Sequence, residues 1–153
     1  ARKHNMASAI QVLLDKGPRV IIIKRAEHGA TLATRDMLFH VPAFPTDMVV
    51  DPTGAGDSFA GGVIGYLSKH GTDEASLRQS LVYGSVMGSF CVEEFGTNRL
   101  QEIGGKEIDS RVESLGHLWL FGFLLPPDLP GRERQVTVPE QRIPGQVQVQ
   151  VNR

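Results

Sequence analysis

The chain has one cysteine, Cys91, among 153 residues, which excludes an internal disulfide and any zinc cluster built on several thiolates. An excess of either charge is also absent: sixteen Lys and Arg face seventeen Asp and Glu, a formal net charge of -1. Polyanionic partners select basic surfaces, so neither nucleic acid nor an anionic membrane is an expected partner. Long apolar runs are missing too. Residues 118–125 form the longest, with Gly122 inside it, far below the roughly 20 residues of a spanning helix. The basic N-terminal residues lack the apolar stretch of a secretion signal, so the cytoplasm is the expected compartment. Without an initiator methionine, and opening in the run-up to a helix, the sequence is expected to be part of a longer protein. Its 41% hydrophobic and 22% charged residues suit a chain that buries one core.

Hydrophobic periodicity supplies the elements. Met6, Ile10, Leu13 and Leu14 have helical spacing, closed by Lys16, Gly17 and Pro18. The β-branched run Val20, Ile21, Ile22, Ile23 predicts a strand buried on both faces of a parallel sheet. Residues 30–34 and 37–41, divided by Arg35 and Asp36, predict a hairpin. Met48, Val49 and Val50 predict a further short strand. Helices are expected from the glycine loop through Leu67, from about Asp73 to Val92, and around Ile108, Val112 and Leu115. From residue 116 onward the character changes to an aromatic patch (Trp119, Phe121, Phe123), three prolines (Pro126, Pro127, Pro130) and a Gln/Val alternation. Disorder and an ordered strand are both compatible with that tail, and the aromatic patch is expected to favour an interface.

The chemistry concentrates at Gly54-Ala55-Gly56-Asp57, where a predicted strand gives way to a helix. Unpaired amides and the positive end of the helix dipole converge there, which attracts an anion. Glycines admit a phosphate close to the backbone. A carboxylate in the same turn, Asp57, suits a base that takes a proton from an attacking hydroxyl while nearby donors stabilise the phosphoryl charge. On spacing alone, a plain helix cap with a tight turn explains the same residues equally well. A Walker A loop is excluded because Asp57-Ser58 stands where Lys-Ser/Thr is required, and a dinucleotide fingerprint because Phe59 occupies its third glycine position.

The stretch Val50-Asp51-Pro52-Thr53-Gly54-Ala55-Gly56-Asp57-Ser58-Phe59-Ala60-Gly61-Gly62 resembles the C-terminal signature of the PfkB or ribokinase-like carbohydrate kinases. The likeness runs through residues 1–115, leaving residues 116–153 as an atypical tail. It implies the C-terminal, ATP-binding part of a three-layer α/β/α fold with a mostly parallel sheet. By the same resemblance Asp57 is the catalytic base and the amides of Gly54, Ala55, Gly56 and Asp57 form the anion hole. Lys24, Ala26, Gly29, Val92, Gly96 and Asn98 would border ATP and its Mg2+, and Asp51 and Thr53 would hold a monovalent cation such as K+. The activity implied is phosphoryl transfer from ATP to a hydroxyl of a sugar or nucleoside, with a homo-oligomer as a compatible assembly.

The chain also departs from that family. The sugar-binding residues, the lid and the Asn-x-x-Glu motif that organises magnesium are not found in it, so the alternative is an incompetent nucleotide-binding or assembly fragment. Ala26 stands where many relatives have glycine, and its methyl would crowd the phosphates or require another backbone angle. Elsewhere the expectations are plainer. His28, His40 and His70 read as surface histidines, Cys91 as a small buried hydrophobe, and Glu93-Glu94 as a solvated charge pair.

Overall fold

The computed structural model describes residues 5–118; the aromatic patch, the prolines and the Gln/Val alternation of the tail lie outside them. Helix α1 (Met6–Leu14) starts where the Asn5 side chain accepts the Ser8 amide at 2.8 Å, satisfying one of the free donors of its first turn. Three short strands follow: β1 (Ile21–Lys24), β2 (Ala30–Ala33) and β3 (Leu38–Val41). A 3-10 turn at Ala26–His28 joins the first two, and Thr34 N–H closes the hairpin between the last two on Met37 O at 2.8 Å. Helices α2 (Ala55–His70) and α3 (Glu74–Cys91) form an antiparallel pair, followed by α4 (Asn98–Glu102) and α5 (Gly105–Leu118). The hairpin and the helices around Phe59, Leu81 and Val112 are those expected; the one-turn helix α4 was not.

The strands alternate faces and so build two cores. Ile21, Ile23 and Ala33 face Ile10 and Leu14 of α1. Ile22, Ala30, Leu32 and Val41 face a larger cluster with Phe59, Val63, Leu81, Val86, Phe90, Val112 and Leu115. Helix, sheet and helices therefore stack in three layers. Leu81, Val86 and Phe90 on α3 are fully buried, each contributing roughly 1.5–3 kcal/mol. The helices α2 and α3 approach so closely that a Cβ on Gly62 would lie 2.9 Å from Tyr83 O and 3.1 Å from Gly84 Cα.

Two expectations are corrected. The sheet order is β1-β2-β3 with both pairings antiparallel, so the sheet of the described residues is not parallel. The apolar run of β1 reflects its two covered faces, and covered faces carry no information about the direction of a neighbour. Met48, Val49 and Val50 form no strand and are exposed. Their end is tied instead to a helix terminus, because Val50 N–H donates to Val92 O at 2.7 Å and Asp51 N–H to the same oxygen at 3.3 Å.

Candidate functional site

The glycine loop opens α2 without a side-chain cap. Gly54 is left-handed, with φ at 86°, a conformation that a Cβ would strain. Ala55 N–H returns to Pro52 O at 3.2 Å, and Gly54 O accepts Asp57 N–H at 3.0 Å and Ser58 N–H at 2.9 Å. The amides of Gly54 and Gly56 make no hydrogen bond among the described residues. Asp57 lies exposed in the first turn, beside those amides.

Across from this turn, the end of β1 delivers Lys24, whose ammonium donates to Gly56 O at 2.8 Å. The chain then turns at Ala26, which keeps a left-handed φ of 49°, alone among the described non-glycine residues. A residue with a Cβ thus holds a left-handed backbone here, at a cost of roughly 1–2 kcal/mol. Gly29 N–H closes the turn on Ala26 O at 3.0 Å. Gly29 itself has φ at 79°, and a Cβ there would collide with Val41 O.

Beneath the loop lies the end of α3. Asp51 Oδ1 accepts Thr53 N–H at 2.9 Å. Its carboxyl is held below the usual range, first by that amide, then by the Thr53 hydroxyl, with a smaller contribution from the Gly96 amide, against slight desolvation. Buried Cys91 places Sγ 3.6 Å from Thr53 O and 3.8 Å from Gly96 O. One carboxylate and several carbonyls therefore gather here from Asp51, Thr53 and Gly96, a set that suits a weakly held monovalent cation. The structure thus brings Asp51, Thr53, Gly54, Val92 and Gly96 together, and separately Lys24 with Gly56. Asn98, at the start of α4, makes no described contact with either group.

Glu93 is not solvated as expected. Its carboxylate pairs with Arg99 at 3.2 Å and with Arg111 at 2.6 Å, and its side chain is 15% exposed. Arg111 lies 3.5 Å from the Phe90 ring centroid and donates to Ser89 Oγ at 3.0 Å, while Arg99 also pairs with Glu107. This network fastens α4 and α5 to the exit of α3, from which the Val92 and Gly96 loop departs. Its partners come from separate helices, so no local motif announces it. Cys91 was legible as core, but its place under Gly54 was not.

Comparison with known proteins identifies the family. The family model described as pfkB family carbohydrate kinase matches residues 1–103. Among curated relatives, deoxyribokinase of Salmonella typhi is 37% identical over 81 residues, which are 53% of this chain and 26% of the relative. Aminoimidazole riboside kinase of Salmonella typhimurium is 39% identical over 85 residues, 55% of this chain and 26% of the relative. The chain thus spans about a quarter of the length of these relatives. Among solved structures, aminoimidazole riboside kinase from Salmonella enterica, complexed with aminoimidazole riboside and an ATP analog, superposes with a TM-score of 0.63 at 31% identity, over 73% of this chain and 37% of that one. Fructokinase from Vibrio cholerae O395 gives 0.64 over 72% and 36%, and at 19% identity shows the fold alone. With the family model matched across the sheet and α2 to α4, and the ribokinase fold shared in part, the chain belongs to the pfkB family of carbohydrate kinases.

Proposed function

We propose that this chain carries the nucleotide site and the base of a kinase that transfers a phosphoryl group from ATP to a hydroxyl of a sugar or nucleoside. The observation that carries the reading is the first turn of α2, where two amides without a partner among the described residues, Gly54 and Gly56, and the Asp57 carboxylate share one exposed helix terminus. Amides there stabilise charge on the transferring phosphoryl group, and a carboxylate beside them receives the acceptor's proton. The amides of Ala55 and Asp57 already donate to Pro52 O and Gly54 O within the turn, so the free donors of the anion hole are those of Gly54 and Gly56. Lys24, Ala26 and Gly29 on one side, with Val92, Gly96 and Asn98 on the other, border the nucleotide. Magnesium accompanies the ATP, and a monovalent cation at Asp51 and Thr53 stiffens the loop. Residues 1–115 form this unit, in the cytoplasm, with residues 116–153 as an appendage.

A second reading keeps the nucleotide and drops the chemistry: the chain is an assembly or nucleotide-binding fragment. Calorimetric titration with Mg-ATP in potassium buffer, together with kinase assays on ribose, fructose and adenosine, separates the two. Binding that Gly54→Val abolishes establishes the nucleotide site. Turnover that Asp57→Asn lowers by about 10²- to 10⁴-fold at nearly constant ATP affinity establishes the base. Binding without turnover favours the fragment, and no binding at all removes the kinase reading.

A further inference from the structure

Lys24 has an unusual resting place for an exposed cation. None of the ion pairs among the described residues includes it. Its ammonium crosses instead from the end of β1 to the first turn of α2, 32 residues away, and donates to Gly56 O at 2.8 Å. That terminus carries the positive end of the helix dipole, which disfavours a cation. Immobilising a lysine side chain forfeits up to roughly 2 kcal/mol of rotamer freedom, which offsets much of the roughly 1.5–3 kcal/mol that one charge-assisted hydrogen bond returns. The approach is close: a Cβ on Gly56 would lie 2.9 Å from Nζ. Two like-signed groups facing each other become mutually favourable once an anion of more than one charge sits between them.

On the kinase reading above, we infer that Lys24 is itself a catalytic residue, whose ammonium leaves Gly56 O for a non-bridging oxygen of the transferring phosphoryl group. In that step the acceptor oxygen forms its bond to phosphorus, the bond from phosphorus to the leaving diphosphate oxygen breaks, and Asp57 takes the acceptor's proton. Lys24 gains and loses no proton. It supplies positive charge to the phosphoryl oxygens from the side opposite the Gly54 and Gly56 amides, so the group is held between a cation and a helix terminus.

The experiment compares ATP with ADP, which differ by the group that Lys24 is assigned to touch. Wild-type chain, Lys24→Met, Lys24→Arg and Gly54→Val are titrated calorimetrically with each nucleotide, after thermal melts establish that the variants fold. Lys24→Met should weaken ATP by roughly 10- to 100-fold, the range of one charge-assisted hydrogen bond, and ADP by less than about threefold; Lys24→Arg, which keeps the charge, should retain most of the ATP preference. Equal losses for ATP and ADP, or none, overturn the role of Lys24. If ATP binds wild type, fails to bind Gly54→Val and is unaffected by Lys24→Met, only this inference falls. If wild type binds neither nucleotide, the kinase reading falls and takes the inference with it.

Discussion

The close approach of α2 and α3 gives a test with its own internal control. Gly61 and Gly62 are neighbours on α2, yet a Cβ on Gly61 would meet nothing within 4 Å, whereas one on Gly62 would lie 2.8 Å from Met87 Cγ, 2.9 Å from Tyr83 O and 3.1 Å from Gly84 Cα. Alanine improves helix propensity over glycine by about 1 kcal/mol at either position. At Gly61 that gain stands alone. At Gly62 it is opposed by overpacking, typically about 1–3 kcal/mol. Two of the three obstacles are backbone atoms that cannot rotate away, so the cost belongs toward the upper end of that range. Gly61→Ala should therefore be stabilised by about 1 kcal/mol and Gly62→Ala destabilised by about 1–2 kcal/mol. At roughly 4 °C per kcal/mol for a domain of this size, the two melting temperatures should differ by roughly 8–12 °C. Thermal unfolding followed by circular dichroism, with urea titration at fixed temperature, measures both. If Gly62→Ala proves as stable as Gly61→Ala, the helices are not in the contact described, and the placement of the first turn of α2 over α3 loses its support.

Two further outcomes follow from the surroundings of that contact. Burial raises the phenol of Tyr83 to about 12, helped by Asp109, which accepts its hydroxyl at 3.3 Å, and burial also raises that of Tyr66 above 10.0. Because the neutral forms are favoured in the fold, this stabilisation is complete below pH 10.0 and is lost as pH climbs from there toward about 12. Phenolate absorbance of the native protein should thus show neither of its two tyrosines titrating at its ordinary value, and a full native-state transition near 10.0 would contradict the packing. At the ion-pair network, Glu93→Gln leaves the mostly buried Arg111 without a carboxylate partner and Arg99 with Glu107 alone, and should cost roughly 2–3 kcal/mol in urea unfolding, somewhat below a fully buried pair. A double-mutant cycle with Arg111→Met should return a coupling of at least ~1 kcal/mol, and strict additivity would mean that the two side chains do not meet.

How far the sequence could be read depended on whether a feature is local. Ile10 and Leu14, or Leu77, Leu81 and Val82, announce their helices because the spacing lies within the element itself. Arg35 and Asp36 between two short apolar runs were enough for the hairpin. The glycine loop was legible as the opening of a helix because its glycines and Asp57 are consecutive. Sheet direction was not, since Ile21, Ile22 and Ile23 are covered whichever way β2 runs. Nor did Met48, Val49 and Val50 reveal that their backbone seeks Val92 O rather than a strand. Lys24 over Gly56, Cys91 under Gly54, and Glu93 between Arg99 and Arg111 all join residues that only the fold makes neighbours. Periodicity carries no term for such pairs.

The order β1-β2-β3 leaves β1 on the outside of the sheet, with backbone donors and acceptors along its outer side unmatched by any strand among the described residues. The strand is three isoleucines covered on both faces and ends in the charge of Lys24. Apolar, β-branched edges of this kind are templates for strand addition by whatever chain comes near. Lys24, besides its place over the glycine loop, is the one charge on β1 and discourages a second strand from docking there.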